Sequence, residues 1–190
     1  MFSIVQRARS EREVAMRGQH IDRAPVYDSE AVQPMRDELV AVGFEDLRTA
    51  QDVDRVFAET PGILFVVVNS VCGCAAGSAR PGAALALQHT LIPDRLATVF
   101  AGMEHDAVDR VRALHVGYPP SSPSMMLFKN GKLVAMVERR MIEGKSAERL
   151  AGELREIFNR HCSRPGPSIP AAEFAKLDFA HVCGSSIPRN

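Results

Sequence analysis

Six consecutive apolar residues, Ile63-Leu64-Phe65-Val66-Val67-Val68, place the strongest constraint on this chain. A strand with one wet face alternates apolar and polar side chains. A run without alternation must be covered on both faces, which predicts a strand at the centre of a sheet between helical layers. Pro61-Gly62 marks where the run begins. The Ala-rich stretch from Val71 to about His89 predicts a helix behind it, kinked at Pro81.

The other segments alternate in the same manner. Val32, Met35, Leu39 and Val42 are spaced for a helix that holds Pro34 near its start and stops at Gly43. Phe44 to Leu47 predicts a short strand. Thr49 and Asp52 form a capping pair ahead of Val53, Val56 and Phe57. Leu96 to Ala101 predicts a further strand, and Ala107, Val111 and Leu114 a short helix. Ser124–Phe128 and Leu133–Val137 predict two strands joined at Asn130-Gly131, a dipeptide suited to the positive φ angles of a tight hairpin. Ser146 caps a last helix with Leu150, Leu154, Ile157 and Phe158 on its core face. Helix–strand alternation gives parallel pairing and the hairpin gives an antiparallel edge. The expected class is α/β: a thioredoxin-like fold, with a central mixed sheet flanked by helices and an extra N-terminal helix. Residues 29–162 form that domain, 1–28 a mobile N-terminal tail, and 163–190 a Pro-rich linker and C-terminal tail.

Charge narrows the partners. The 190 residues carry 23 basic and 23 acidic side chains, so there is no electrostatic footprint for nucleic acid or an anionic membrane. No stretch reaches the ~18–20 apolar residues of a membrane span. Residues 1–23 are rich in charge and lack the apolar core of a secretory signal, which predicts a cytoplasmic, reducing location. In that compartment Cys72, Cys74, Cys162 and Cys183 are expected as catalytic, metal-binding or inert thiols rather than as a disulfide framework.

Cys72-Gly73-Cys74 falls where the buried strand hands over to the Ala-rich helix, at the carboxyl end of the strand, where α/β sheets carry their sites. A helix N-terminus offers free N–H groups and the positive end of a dipole, which lower a thiol pKa from ~8.5 to between ~3.5 and 7.5. Cys72 is therefore the expected attacking thiolate and Cys74 the resolving cysteine. Gly73, without a Cβ, helps the short loop bend toward disulfide geometry. One intervening residue closes a tight ring, so a strained and easily reduced disulfide is expected. Asn69 and Ser70 precede the pair on the same loop. A metal or cluster site using these cysteines needs further ligands, and His161, Cys162, His181 and Cys183 show no fixed finger-like spacing.

The segment Pro123-Ser124-Met125-Met126-Leu127-Phe128-Lys129-Asn130-Gly131 resembles thioredoxin, in which a cis-proline faces the cysteine pair and shapes the client groove. Ser122 and Ser124 flank that proline as further groove residues. Longer blocks point to one family: Asn69-Ser70-Val71-Cys72-Gly73-Cys74-Ala75-Ala76-Gly77, then Ala79-Arg80-Pro81, Thr98-Val99-Phe100-Ala101-Gly102, Pro120 to Met125, and Ile142-Glu143-Gly144. From about Tyr27 to Cys162 the chain resembles the bacilliredoxin family. The resemblance implies thiol–disulfide exchange that removes bacillithiol from S-bacillithiolated client proteins, with bacillithiol as co-substrate, no bound cofactor and weak disulfide isomerase activity. Cys72 and Cys74 map to the redox pair and Glu143 to a family position. Arg80 would steer the carboxylates of bacillithiol. One departure stands out: an Arg-His pair is expected before Ile-Glu-Gly, and the chain reads Arg139-Arg140, which replaces a titrating group by a second cation. Cys183, in the C-terminal tail, is a candidate third redox thiol. A general disulfide isomerase without preference for a small thiol is the second reading, and a metal- or cluster-binding protein using the same cysteines is the third.

Overall fold

The computed structural model describes residues 23–179 and Ile187. In chain order the elements are α1 (Ser29–Val40), β1 (Glu45–Asp46), α2 (Ala50–Ala58), β2 (Ile63–Asn69), a π-helical turn (Ala75–Ala79) running into α3 (Arg80–Ala86), β3 (Leu91–Ile92), β4 (Arg95–Phe100), α4 (His105–Ala113), β5 (Ser124–Lys129), β6 (Lys132–Val137), α5 (Arg139–Ile142), α6 (Ala147–His161), β7 (Arg164–Pro165) and α7 (Ala171–Phe174).

Local chemistry sets the boundaries. Asp28 accepts the N–H groups of Glu30 and Ala31 at the start of α1. Thr49 and Asp52 cap α2 reciprocally, as expected from their spacing. Ser146 accepts from the Arg149 N–H at the start of α6. Asn130 and Gly131, at φ +50° and +75°, turn β5 into β6.

The main sheet has the order β1-β4-β2-β5-β6, with β1, β4 and β2 parallel and β5 and β6 antiparallel. This is the thioredoxin-like arrangement, with α1 as the additional N-terminal helix. All seven residues of β2 are buried. Ile63, Phe65 and Val67 pack with Leu39, Ala83, Leu150, Leu154 and Phe158 of α1, α3 and α6. Leu64, Val66 and Val68 pack on the other face with Val53, Val56, Val108 and Val111 of α2 and α4. The unbroken apolar run thus reflects two half-cores sharing one strand. Each such side chain contributes roughly 1.5–3 kcal/mol by leaving water.

Three expectations need correcting. The Ala-rich segment is not one long helix bent at Pro81. The Arg80 N–H bonds back five residues to the Ala75 carbonyl, and Pro81 sits in the first turn of α3. A proline ring collides with the carbonyl four residues earlier in a regular helix, and the wider π turn removes that collision. The Pro-rich stretch after Cys162 is docked along its described part. β7 pairs with β3, the N–H groups of Gly166 and Ser168 bond to the carbonyls of Thr90 and Leu87, and Ile169, Phe174, Leu177 and Phe179 pack on the α1/α3/α6 half-core. Gly166 is obligatory there, because a Cβ would lie 2.1 Å from the His89 carbonyl oxygen. The end of the N-terminal segment is also attached: the Val26 N–H bonds to the Gly102 carbonyl at 2.7 Å, and Arg23 pairs with Asp109. Among the described residues no helix is long and apolar enough to cross a membrane.

Candidate active site

β2 ends at Asn69, which is buried and fixes the loop that follows. Its Nδ2 donates to the Met35 carbonyl of α1 at 3.0 Å, and its Oδ1 accepts from the Ser70 N–H at 2.8 Å. Ser70 then serves Cys72 twice: its hydroxyl donates to Cys72 Sγ at 3.2 Å and accepts from the Cys72 N–H at 3.4 Å. The helix begins at Gly73 and Cys74, so Cys72 stands at its N-terminal edge. Gly73 is exposed and helical, and its φ is not positive.

The two sulfurs lie 3.4 Å apart and both cysteines are half-buried thiols. Burial opposes ionisation of Cys72. The Ser70 hydroxyl, the Ala75 N–H, the Cys74 thiol and the charge of Arg139 together outweigh it and hold Cys72 below the ordinary cysteine range. Cys74 moves the other way. Its burial, its hydrogen bond to Cys72 and the charge on Cys72 raise its pKa, with Arg139 opposing. One thiolate and one thiol held in reserve is the division of labour an exchange reaction needs.

The second wall comes from β5, whose Ser124 pairs with Val68 of β2, and Ser122, just before that strand, lines the same groove as Ser70 and Cys72. The Ser122–Pro123 peptide is cis. Ser124 is buried and its hydroxyl donates to the Ser121 carbonyl at 3.0 Å, so it shapes the loop rather than the groove surface. Arg139, at the start of α5, closes the site. Its N–H bonds to the Ser121 hydroxyl at 3.4 Å and its guanidinium to the Ser122 carbonyl at 3.5 Å. Glu143 is exposed and reaches Arg139 at 3.7 Å, which puts it at the rim, behind the cation. Of the two arginines in the unusual Arg139-Arg140 pair, only Arg139 faces the cysteines. Arg140 pairs with Glu138 and has an 80 % exposed side chain.

Arg80 is a correction. A surface arginine steering a substrate was expected. It is instead fully buried, with Nε bonded to Glu38 at 2.6 Å and Nη1 to the Ser70 carbonyl at 3.2 Å. It braces the active-site loop from beneath and does not reach the groove. The signal for this was a lone cation inside an Ala- and Gly-rich helix, which has to be buried with a partner. Cys162 is buried and its pKa is pushed up to about 12, chiefly by burial. Cys183 lies outside the described residues. Among those described, no three His, Cys, Asp or Glu side chains converge as a metal site. Sequence reasoning did not place Arg139 as a site residue, nor Glu38 as the buried partner of Arg80.

The family described as "Disulphide isomerase" matches residues 27–162. A bacilliredoxin of Staphylococcus aureus is 45 % identical over 137 residues, covering 72 % of this chain and 94 % of that protein. A bacilliredoxin of Cytophaga hutchinsonii is 46 % identical over 134 residues, covering 70 % and 98 %. The chain is also similar to the solved thioredoxin of Fasciola hepatica, at 23 % identity and a TM-score of 0.45, over 62 % of this chain and 99 % of that one. With a thioredoxin-like sheet, an ionisable Cys72 beside Cys74, and relatives matched nearly end to end, the chain belongs to the bacilliredoxin family of thiol oxidoreductases.

Proposed function

We propose that this protein removes bacillithiol from S-bacillithiolated protein cysteines by thiol–disulfide exchange at Cys72. The Cys72 thiolate bonds to the small-thiol sulfur of the mixed disulfide, and the client sulfur leaves as a thiolate that takes up a proton from water. Cys72 then carries the adduct. A second thiolate, Cys74 or free bacillithiol, attacks Cys72 or its adduct sulfur and a thiolate departs, so each step exchanges one S–S bond for another. The observation that carries the reading is the opposed ionisation of two thiols 3.4 Å apart. Client proteins and a low-molecular-weight thiol are the partners this reading requires, in a reducing, cytoplasmic setting, with no bound cofactor.

The test is a de-bacillithiolation assay on a modified client, followed by intact mass. Cys72→Ala is expected to lose turnover. Cys74→Ala is expected to accumulate a mixed disulfide on Cys72. Retained turnover in Cys72→Ala refutes the mechanism. The family description favours a second reading, general disulfide isomerisation. Recovery of a scrambled disulfide protein at a rate equal to or above de-bacillithiolation would favour it.

A further inference from the structure

Ile187 lies outside the segment 27–162 that the family matches, yet it is buried, with 8 % of its surface exposed. It packs in a third apolar cluster with Val32 and Met35 of α1, Phe100 at the end of β4, Met103 and Val71. Tyr27 and Ala31 pack against the same cluster. This seat adjoins the redox loop. Val71 is the residue before Cys72, and Val71 and Tyr27 both line the groove beside that cysteine.

The loop is held in two ways. Polar ties fix its first two residues: the Asn69 side chain donates to the Met35 carbonyl, the Ala101 N–H to the Asn69 carbonyl at 3.0 Å, and Arg80 to the Ser70 carbonyl at 3.2 Å. Val71 is held through its side chain, in the apolar seat. Ser70 and Cys72 are its two neighbours, so the depth at which Val71 sits sets the reach of the Ser70 hydroxyl to Cys72 Sγ, 3.2 Å. Interiors are close-packed, and a gap left by a missing side chain lets its neighbours shift into it. We infer that Ile187 is a positioning residue for the redox loop: by filling the seat beside Val71 it holds the Ser70 hydroxyl against Cys72 Sγ. The C-terminal stretch thereby contributes to thiol reactivity as well as to packing. The inference rests on the exchange reading only for the use to which the thiolate is put.

The test is the pH profile of iodoacetamide alkylation in the full-length chain, read at Cys72 by peptide mass. Ile187→Ala should slow the reaction at pH 7 about threefold, a fraction of the worth of a hydrogen bond to a charged group, and move the midpoint of the profile to higher pH. The rates should converge at about pH 10, where the thiol is ionised in every variant. Ile187→Val keeps most of the side chain and should recover most of the rate. In Ser70→Ala there is no hydroxyl to hold, so adding Ile187→Ala should change the profile no further. Leu177→Ala trims the same C-terminal stretch where it packs on the α1/α3/α6 half-core, and should leave the profile in place.

An unmoved profile in Ile187→Ala overturns the inference. So does a slowing that persists at high pH, which reports access to the sulfur instead of its ionisation. Full additivity with Ser70→Ala, or an equal shift in Leu177→Ala, overturns it as well. Faster alkylation at every pH does the same, because Ile187 would then shield Cys72 instead of placing it. Alkylation needs neither client nor small thiol, so these outcomes decide the role of Ile187 whether or not the exchange reading survives its own test.

Discussion

Two arginines flank the Cys-Gly-Cys loop and differ in almost every physical respect. Arg80 has no exposed surface and is tied to Glu38 and to the Ser70 carbonyl. Arg139 is 45 % exposed and is held by contacts of 3.4 to 3.7 Å. The buried cation fixes where the loop lies, and the exposed one sets the field that the sulfurs feel. Substitutions at the two should therefore separate stability from reactivity.

The largest effect is expected at Arg80. Removing one partner of a buried ion pair costs about 3–5 kcal/mol. Arg80→Ala should lower unfolding free energy by that order in denaturant titration, with reduced protein throughout. Replacing both partners, as in Glu38→Leu with Arg80→Leu, should recover most of the lost stability. It should still leave exchange slower by about tenfold, since the hydrogen bond to the Ser70 carbonyl is gone and one such bond is worth ~1–1.5 kcal/mol. Full recovery of both quantities would show that Arg80 matters to packing alone.

Arg139→Ala should do the reverse. Loss of a nearby cation disfavours the thiolate, so the Cys72 pKa rises and less thiolate is present at neutral pH. Alkylation of Cys72 at pH 7 should slow about threefold, with stability changed by less than ~0.5 kcal/mol. A rate that is unchanged across the pH profile would remove Arg139 from the electrostatics of the site.

Glu143→Gln gives the smallest expected shift, and in the opposite direction. It frees Arg139 from a competing charge at 3.7 Å. The apparent Cys72 pKa should fall slightly and alkylation at pH 7 should quicken by less than about twofold. A slower reaction would place Glu143 in contact with the reacting groups instead of behind the cation.

The same contrast explains what the sequence disclosed. Ile63 to Val68, the Thr49–Asp52 capping pair, the Asn130-Gly131 turn and the position of Cys72 at a strand–helix junction are local features, and the fold bears them out. The strand after Pro123 was legible from its apolar run, and it pairs in register with β2. The role of Arg80 was not, because its carboxylate partner lies 42 positions earlier, on another helix. Arg139 was noticed as a departure from a family pattern, but which of two adjacent arginines faces the cysteines depends on the Ser121–Ser122 loop across the site. The π turn and the docking of residues after Cys162 arise from packing that no short pattern announces.

The docked C-terminal stretch has a practical corollary for anyone preparing a shortened form. The family's own boundaries, 27 and 162, invite a cut after Cys162. Such a cut strips β7 from β3 and unroofs the apolar seat now filled by Ile169, Phe174 and Leu177. A fresh hydrophobic face beside an unpaired strand edge favours self-association, so a form cut after Cys162 should self-associate more than one that runs to residue 179.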